Sequence, residues 1–188
     1  AAFTRAALPS GLRPSERPGR APLLPGSAAS EEAAHIVVWS AGGDEFAVAA
    51  GARVVVQSTT RADARALCDH PVRVNGVAFL ASDVVVTGGD DEFLRVWRVG
   101  AGEGDADAEC VAEIETMHTP RVRALALATE GPLSLLLTVD SEGTIRLWDA
   151  NKLLLVGRGE VEGKGVEPLG ELRTAESSAT RVTCLAAS

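Results

Sequence analysis

Cysteine is scarce in this 188-residue chain, and its placement excludes most of its chemistry. Cys68, Cys110 and Cys184 stand alone with no C-x-x-C pair, so the sequence offers neither a thiolate metal clip nor a redox dithiol. An odd number at wide spacing fits unpaired, packed thiols in a reducing compartment. No apolar run approaches the length of a membrane span, and no membrane role is expected. Gly163-Lys164-Gly165 lacks the spacing of a phosphate-binding loop. Ser40, Ser82 and Ser141 sit in no nucleophile-elbow context. Aromatics make up only 4% of the chain, yet hydrophobic residues at 46% are ample for a packed core. Basic charge is also short: a formal net charge of −8 argues against non-specific nucleic-acid binding, although a local basic patch can still meet RNA.

Proline is concentrated rather than absent. Pro9, Pro14, Pro18, Pro22 and Pro25 break residues 1–30, a Pro/Arg/Gly-rich segment with four Arg against one Glu. Proline removes backbone donors and fixes φ, so this segment is predicted to be disordered. Its faint likeness to a transit peptide is read instead as a disordered insertion. Beginning at Ala1 rather than Met, the chain reads as a fragment or a processed product.

What the sequence does have is a phrase used three times. Arg73-Val74-Asn75-Gly76-Val77-Ala78 recurs as Arg121-Val122-Arg123-Ala124-Leu125-Ala126 and as Arg181-Val182-Thr183-Cys184-Leu185-Ala186. Two copies are followed by a Thr-containing apolar strand, an acidic turn, and a segment carrying Trp, Phe93–Trp97 or Thr144–Asp149. Such self-similarity means repeated supersecondary units, none of which buries its apolar surface alone. Short strands between Gly and Asp turns predict an antiparallel meander. The first unit has strands at 35–39, 46–50 and 53–57 and a weak fourth at 65–68. The second has strands at 74–79, 83–87, 93–98 and 109–115. The third has strands at 122–127, 134–139 and 144–148. For its fourth strand, 169–173 is preferred over 153–156, which leaves 157–168 as a surface loop begun by Leu153–Val156. Apolar runs such as Val84-Val85-Val86 and Leu135-Leu136-Leu137 do not alternate, as expected of sheets covered on both faces. Four antiparallel strands every 40–50 residues or so is the blade pattern of a β-propeller.

Trp148-Asp149 closing a third strand, the weaker Trp97-Arg98, and His70 and His118 ahead of first strands resemble the WD40 repeat family. The expected fold is therefore all-β: a partial WD40 β-propeller of about three four-stranded antiparallel blades plus the first strand of another. The blades fall at 31–69, 70–117 and 118–175, with the start of the next at 176–188. In that family a His, a Ser/Thr, a turn Asp and the Trp form a hydrogen-bonded set. The resemblance implicates His70, Thr87, Asp91 and Trp97 in one blade. In the next it implicates His118, Thr138, Glu142 and Trp148, with Glu142 in the acidic position. The first blade has Gln57 near the place of the Trp and no such network. His35, His70 and His118 are read as structural strand-entry residues. Asp90-Asp91-Glu92 is read as a solvated hairpin tip with Asp91 turned inward, not a metal site.

The order of the blades, from Ala34–Ser40 through Thr87–Glu92 to Arg181–Leu185, is similar to the C-terminal half of the p21-activated protein kinase-interacting protein 1-like family. The resemblance covers roughly residues 31–188. It implies nucleolar, nuclear residence, a place in pre-60S particles of large-ribosomal-subunit assembly, binding to assembly factors and, in some members, inhibition of p21-activated kinase. From the residues alone, Arg73, Arg121 and Arg181 recur at the same point of each phrase. Either they form a basic rim for an acidic peptide or rRNA phosphate, or each neutralises an acid at its own loop. No assembled acid/base or nucleophile set is present, so no enzyme activity, cofactor or metal is expected. Three blades do not close a ring, and a longer parent chain is expected to supply the rest of the propeller.

Overall fold

The computed structural model describes residues 33–60, 64–100, 108–118, 121–130 and 133–173. The expected disorder of 1–30 and the opening of a further blade at 176–188 lie outside the described residues.

Three four-stranded antiparallel sheets follow one another along the chain. The first holds β1 (Ile36–Trp39), β2 (Glu45–Ala50), β3 (Arg53–Ser58) and β4 (Ala64–Asp69). The second holds β5 (Val74–Ala81), β6 (Val84–Gly89), β7 (Phe93–Arg98) and β8 (Glu109–Glu115). The third holds β9 (Val122–Glu130), β10 (Leu133–Asp140), β11 (Thr144–Asp149) and, after a helix, β12 (Gly170–Arg173). Within each sheet the spatial order is the sequence order, the meander expected of a propeller blade.

The sheets stack face to face, which explains the unbroken apolar runs. All six residues of β6 are buried. Val85 and Trp97 face the first sheet among Ala47, Val54, Val56 and Cys68. Val84, Val86, Leu94 and Val96 face the third among Leu125, Leu136 and Trp148. Burying a Val or Leu side chain stabilises by roughly 1.5–3 kcal/mol, so these two seams are what hold neighbouring blades together. β5 and β9, the first strands of their blades, lie side by side. At Gly76 an added Cβ would lie only 2.7 Å from the Leu125 backbone nitrogen, so only glycine permits that approach.

One expectation is corrected. Leu153–Val156 does not begin a surface loop; it lies within helix α1 (Ala150–Arg158). Asp149 caps the helix, accepting from the Asn151 and Lys152 nitrogens at 2.9 and 3.1 Å, and Gly159 ends it at φ +76°. Leu153 and Val156, three residues apart on one face, are buried against the second and third sheets. β12 at Gly170–Arg173 supplies the fourth strand of the third blade.

Candidate functional site

The hydrogen-bonded sets are assembled by register. Thr87 on β6 sits opposite Arg95 on β7, and Trp97 lies two residues beyond. The Trp97 indole Nε1 donates to Thr87 Oγ1 at 2.7 Å, and His70 Nε2 meets the same oxygen. Arg95 Nη1 lies 3.3 Å from His70 Nδ1. A guanidinium can only donate, so Nδ1 accepts and the ring proton sits on Nε2, donated to Thr87. The Thr87 hydroxyl then uses both lone pairs and turns its own proton to the Arg95 carbonyl at 3.5 Å. Burial, reinforced by the Arg95 charge and only partly offset by Asp91, pushes the His70 pKa down to about 4.

Asp91 does not touch His70 directly. Its Oδ2 pairs with Arg95 Nη2 at 2.8 Å, while Arg95 Nε pairs with Glu113 at 2.6 Å. Burial works against the Arg95 cation, but Asp91 and Glu113 outweigh it and raise its pKa. Arg95 is the hub that the sequence reading missed. The signal was visible: an Arg stands two residues before each third-strand Trp, at Arg95 and Arg146.

The third blade repeats the set with one change of acid. Trp148 Nε1 donates to Thr138 Oγ1 at 3.0 Å, and His118 Nε2 lies 2.7 Å from that oxygen. Arg146 Nη2 pairs with Glu171 at 2.8 Å, as Arg95 does with Glu113. The acid on His118 is Asp140, whose Oδ2 lies 3.1 Å from Nδ1. Glu142 is exposed and takes no part; only its backbone N–H joins in, donating to Asp140 Oδ1 at 2.9 Å. The reason is reach. Asp140 ends β10, beside the bulge in the β9–β10 ladder, and that position aims a short carboxylate at the ring. Nδ1 thus faces a donor, Arg146 Nη1 at 2.9 Å, and an acceptor, Asp140. With Nδ1–H given to Asp140, Thr138 donates to Nε2; with Nδ1 accepting from Arg146, Nε2–H donates to Thr138. Both tautomers leave the buried hydroxyl and indole satisfied. Burial lowers the His118 pKa despite the opposing bond from Asp140.

These sets are sealed inside the seams, with His118, Thr87, Thr138 and Trp148 fully buried. They hold the blades in shape. Among the described residues no group of three or more His, Cys, Asp or Glu is placed to hold a metal ion. No described helix is long and apolar enough to cross a membrane.

The three arginines of the repeated phrase fare differently. Arg73 is exposed and makes no ion pair among the described residues. Arg121 Nη1 reaches Asp90 Oδ1 at 3.3 Å, so its acid belongs to the preceding blade's turn and not to its own loop. Arg181 lies outside the described residues. On the same edge Met117 is 55% exposed at φ +58°, a conformation that costs a non-glycine residue strain. Thr116 anchors that loop, its N and Oγ1 donating to the Glu92 carbonyl at 2.7 and 2.6 Å.

Residues 64–98 and 108–149 match the family described as WD domain, G-beta repeat. Those two stretches are WD40 repeats. Each matched stretch starts at the outer strand of one blade, β4 or β8, and ends on the third strand of the next, so both matched repeats run across two blades. The chain is similar to the p21-activated protein kinase-interacting protein 1-like of Danio rerio, 29% identical over 152 residues, 81% of this chain and 36% of that protein. It is similar to p21-activated protein kinase-interacting protein 1 of Mus musculus, 29% identical over 119 residues, 63% of this chain and 29% of that protein. It is also similar to Ribosome biogenesis protein YTM1 of Podospora anserina, 26% identical over 83 residues, 44% of this chain and 17% of that protein. The chain spans about a third of the length of the kinase-interacting relatives it matches.

Proposed function

We propose that this chain forms part of a non-catalytic WD40 scaffold that binds assembly factors of the large ribosomal subunit in the nucleolus. The observation that carries the reading is the division of labour in each blade. The polar chemistry of His70, Arg95, His118 and Arg146 is consumed in holding the sheets, while the turns present Arg73, Met117 and Glu142 to solvent. A rigid frame with exposed loops is suited to binding rather than reaction. Similarity to a ribosome biogenesis protein supports the assembly role. Further blades from the parent chain would cover the open sheet faces, where Trp39 is 61% exposed.

Sucrose-gradient fractionation of cells expressing the tagged full-length parent tests this. Co-migration with pre-60S particles, lost on RNase treatment, supports the assembly role; migration only as a small complex overturns it. A second reading, an adaptor that binds and restrains a p21-activated kinase, is favoured by the names of the kinase-interacting relatives. Direct pull-down with the kinase regulatory segment, in the absence of ribosomal particles, supports that reading. Of the arginine rim, Arg73 is the exposed member available to an acidic peptide or an rRNA phosphate. Arg73→Glu is expected to weaken partner capture without loss of folding.

A further inference from the structure

Acid outnumbers base in this chain, 26 residues to 18, so an arginine readily finds a carboxylate. Arg53, Arg95, Arg98, Arg146, Arg158 and Arg173 each pair with one. Arg73 and Arg123 pair with none among the described residues. Arg121 has only a share of one. Its Nη1 meets Asp90 Oδ1 at 3.3 Å, and the same oxygen accepts from Asn75 Nδ2 at 2.8 Å.

The exceptions converge on one turn. Asp90 follows β6, and its N–H donates to the Arg73 carbonyl at 2.9 Å. The Asp91 carbonyl accepts from the Val122 nitrogen at 3.2 Å, which sets Arg121 and Arg123 on either side of a bond to the same turn. Asp91 brings no free charge, because its Oδ2 is taken by Arg95 at 2.8 Å. Glu92 lies toward the outer strands, where its carbonyl holds Thr116 just beyond β8. The inner end of the turn thus has three arginines to one carboxylate. Arg121 Nε and Arg123 Nε are enclosed and make no hydrogen bond, so packing fixes both stems. The Arg121 side chain is still 36% exposed, and Arg73 is exposed. A guanidinium carries five donors and no acceptor, so one long contact leaves most of them unused. Cations held in place this way lose little freedom on binding a ligand.

We propose that Arg73, Arg121 and Arg123 form a docking site for an acidic peptide segment, with Asp90 as a built-in competitor for Arg121. This rests on the reading of the chain as a binding scaffold. The arginine fork fits a carboxylate bidentately. RNA phosphate offers similar geometry, but it brings a charge at every nucleotide onto a chain of net charge −8, whose field opposes a polyanion. A peptide can supply a few carboxylates and no further charge.

Fluorescence anisotropy on the full-length parent tests the site, with labelled hexaglutamate and labelled oligouridine as probes. Hexaglutamate should bind, and added salt should weaken it. Arg121→Gln and Arg123→Gln should each weaken binding about tenfold, as for loss of one charge-assisted hydrogen bond. Asp90→Asn keeps the Oδ1 acceptor and removes the charge, so it should tighten binding about threefold, as for a surface ion pair that no longer competes. Damage to the fold would not tighten binding. Hexaglutamate binding that is absent, or unchanged in the arginine variants, overturns the site. Weaker binding in Asp90→Asn overturns it as well. Oligouridine held more tightly than hexaglutamate by the same arginines makes this an RNA site and overturns the peptide. Sedimentation separates the site from the assembly role. A parent that ignores hexaglutamate yet co-migrates with pre-60S particles overturns the site alone. One that binds hexaglutamate through these arginines but migrates as a small complex supports the site and overturns the assembly role.

Discussion

The Trp97 indole N–H donates to the Thr87 hydroxyl across 2.7 Å, inside the seam between the first and second sheets. Because His70 donates to the same oxygen, one hydroxyl satisfies two buried donors. Thr87→Val keeps the shape and strands both, at roughly 1–3 kcal/mol for each group. Thr87→Ser keeps the hydroxyl and should cost less than about 1.5 kcal/mol. Urea unfolding of the two variants gives the comparison; equal losses would mean that the oxygen is not what holds the pair.

The third blade allocates its acids differently from what the family resemblance implies. Asp140 accepts from the Glu142 and Thr144 nitrogens, both at 2.9 Å, and faces His118. Asp140→Ala should cost about 2–3 kcal/mol, because turn donors and a buried ring lose their partner together. Glu142→Ala should fall within about 0.5 kcal/mol of the parent, as expected for an exposed side chain. Thermal unfolding of both checks the order, and a larger loss for Glu142→Ala would restore it as the network acid.

What could be read from the sequence was what depends on period and spacing. The blades follow from the repeated phrase and the short turns between strands, and the pairing of Thr87 with Trp97 and of Thr138 with Trp148, ten residues apart, from the family resemblance. The choice of Asp140 over Glu142 depends on a bulge, and a bulge shifts a side chain without altering the strand pattern. Nothing in the sequence marks Arg95 and Arg146 as buried, since an Arg inside an apolar strand is ordinarily an outward-facing charge. Its burial depends on Glu113 and Glu171 lying directly across the next strand, a pairing made only in three dimensions. Helix α1 was hidden because Leu153–Val156 is a continuous apolar run of strand length. Only the flanking Asp149 cap and Gly159 stop mark it as helical.

Acid should loosen the second blade through His70. Its pKa is near 4 in the folded chain against about 6.5 when unfolded, so between those values the unfolded chain binds the extra proton. The contribution is complete above pH 6.5 or so, declines as pH falls, and is gone below about pH 4. It is worth on the order of 3 kcal/mol. His118 is lowered as well and acts in the same direction. Denaturant unfolding from pH 4 to 7 should show His70→Gln with a shallower pH dependence than the parent. Parallel curves would mean that the ring is not neutral in the folded state.

Gly157 brings two effects of opposite sign into competition at one atom. Within a helix, Gly→Ala ordinarily stabilises by about 1 kcal/mol. Here a Cβ at Gly157 would lie 2.4 Å from Val84 Cγ1, because α1 is pressed onto the second sheet at that residue. The Gly157 carbonyl also accepts from Arg98 Nε at 3.1 Å, and Arg158 pairs with Asp83 at 3.3 Å, so the helix has little room to lift away. Overpacking a close seam costs about 1–3 kcal/mol, which exceeds the gain in helix propensity. Gly157→Ala should therefore destabilise. Val84→Ala in the same chain should return part of the loss, giving a coupling of about 0.5–3 kcal/mol in a double-mutant cycle read by urea unfolding. Stabilisation by Gly157→Ala alone, or additive losses from the pair, would show that α1 does not rest on β6 in solution.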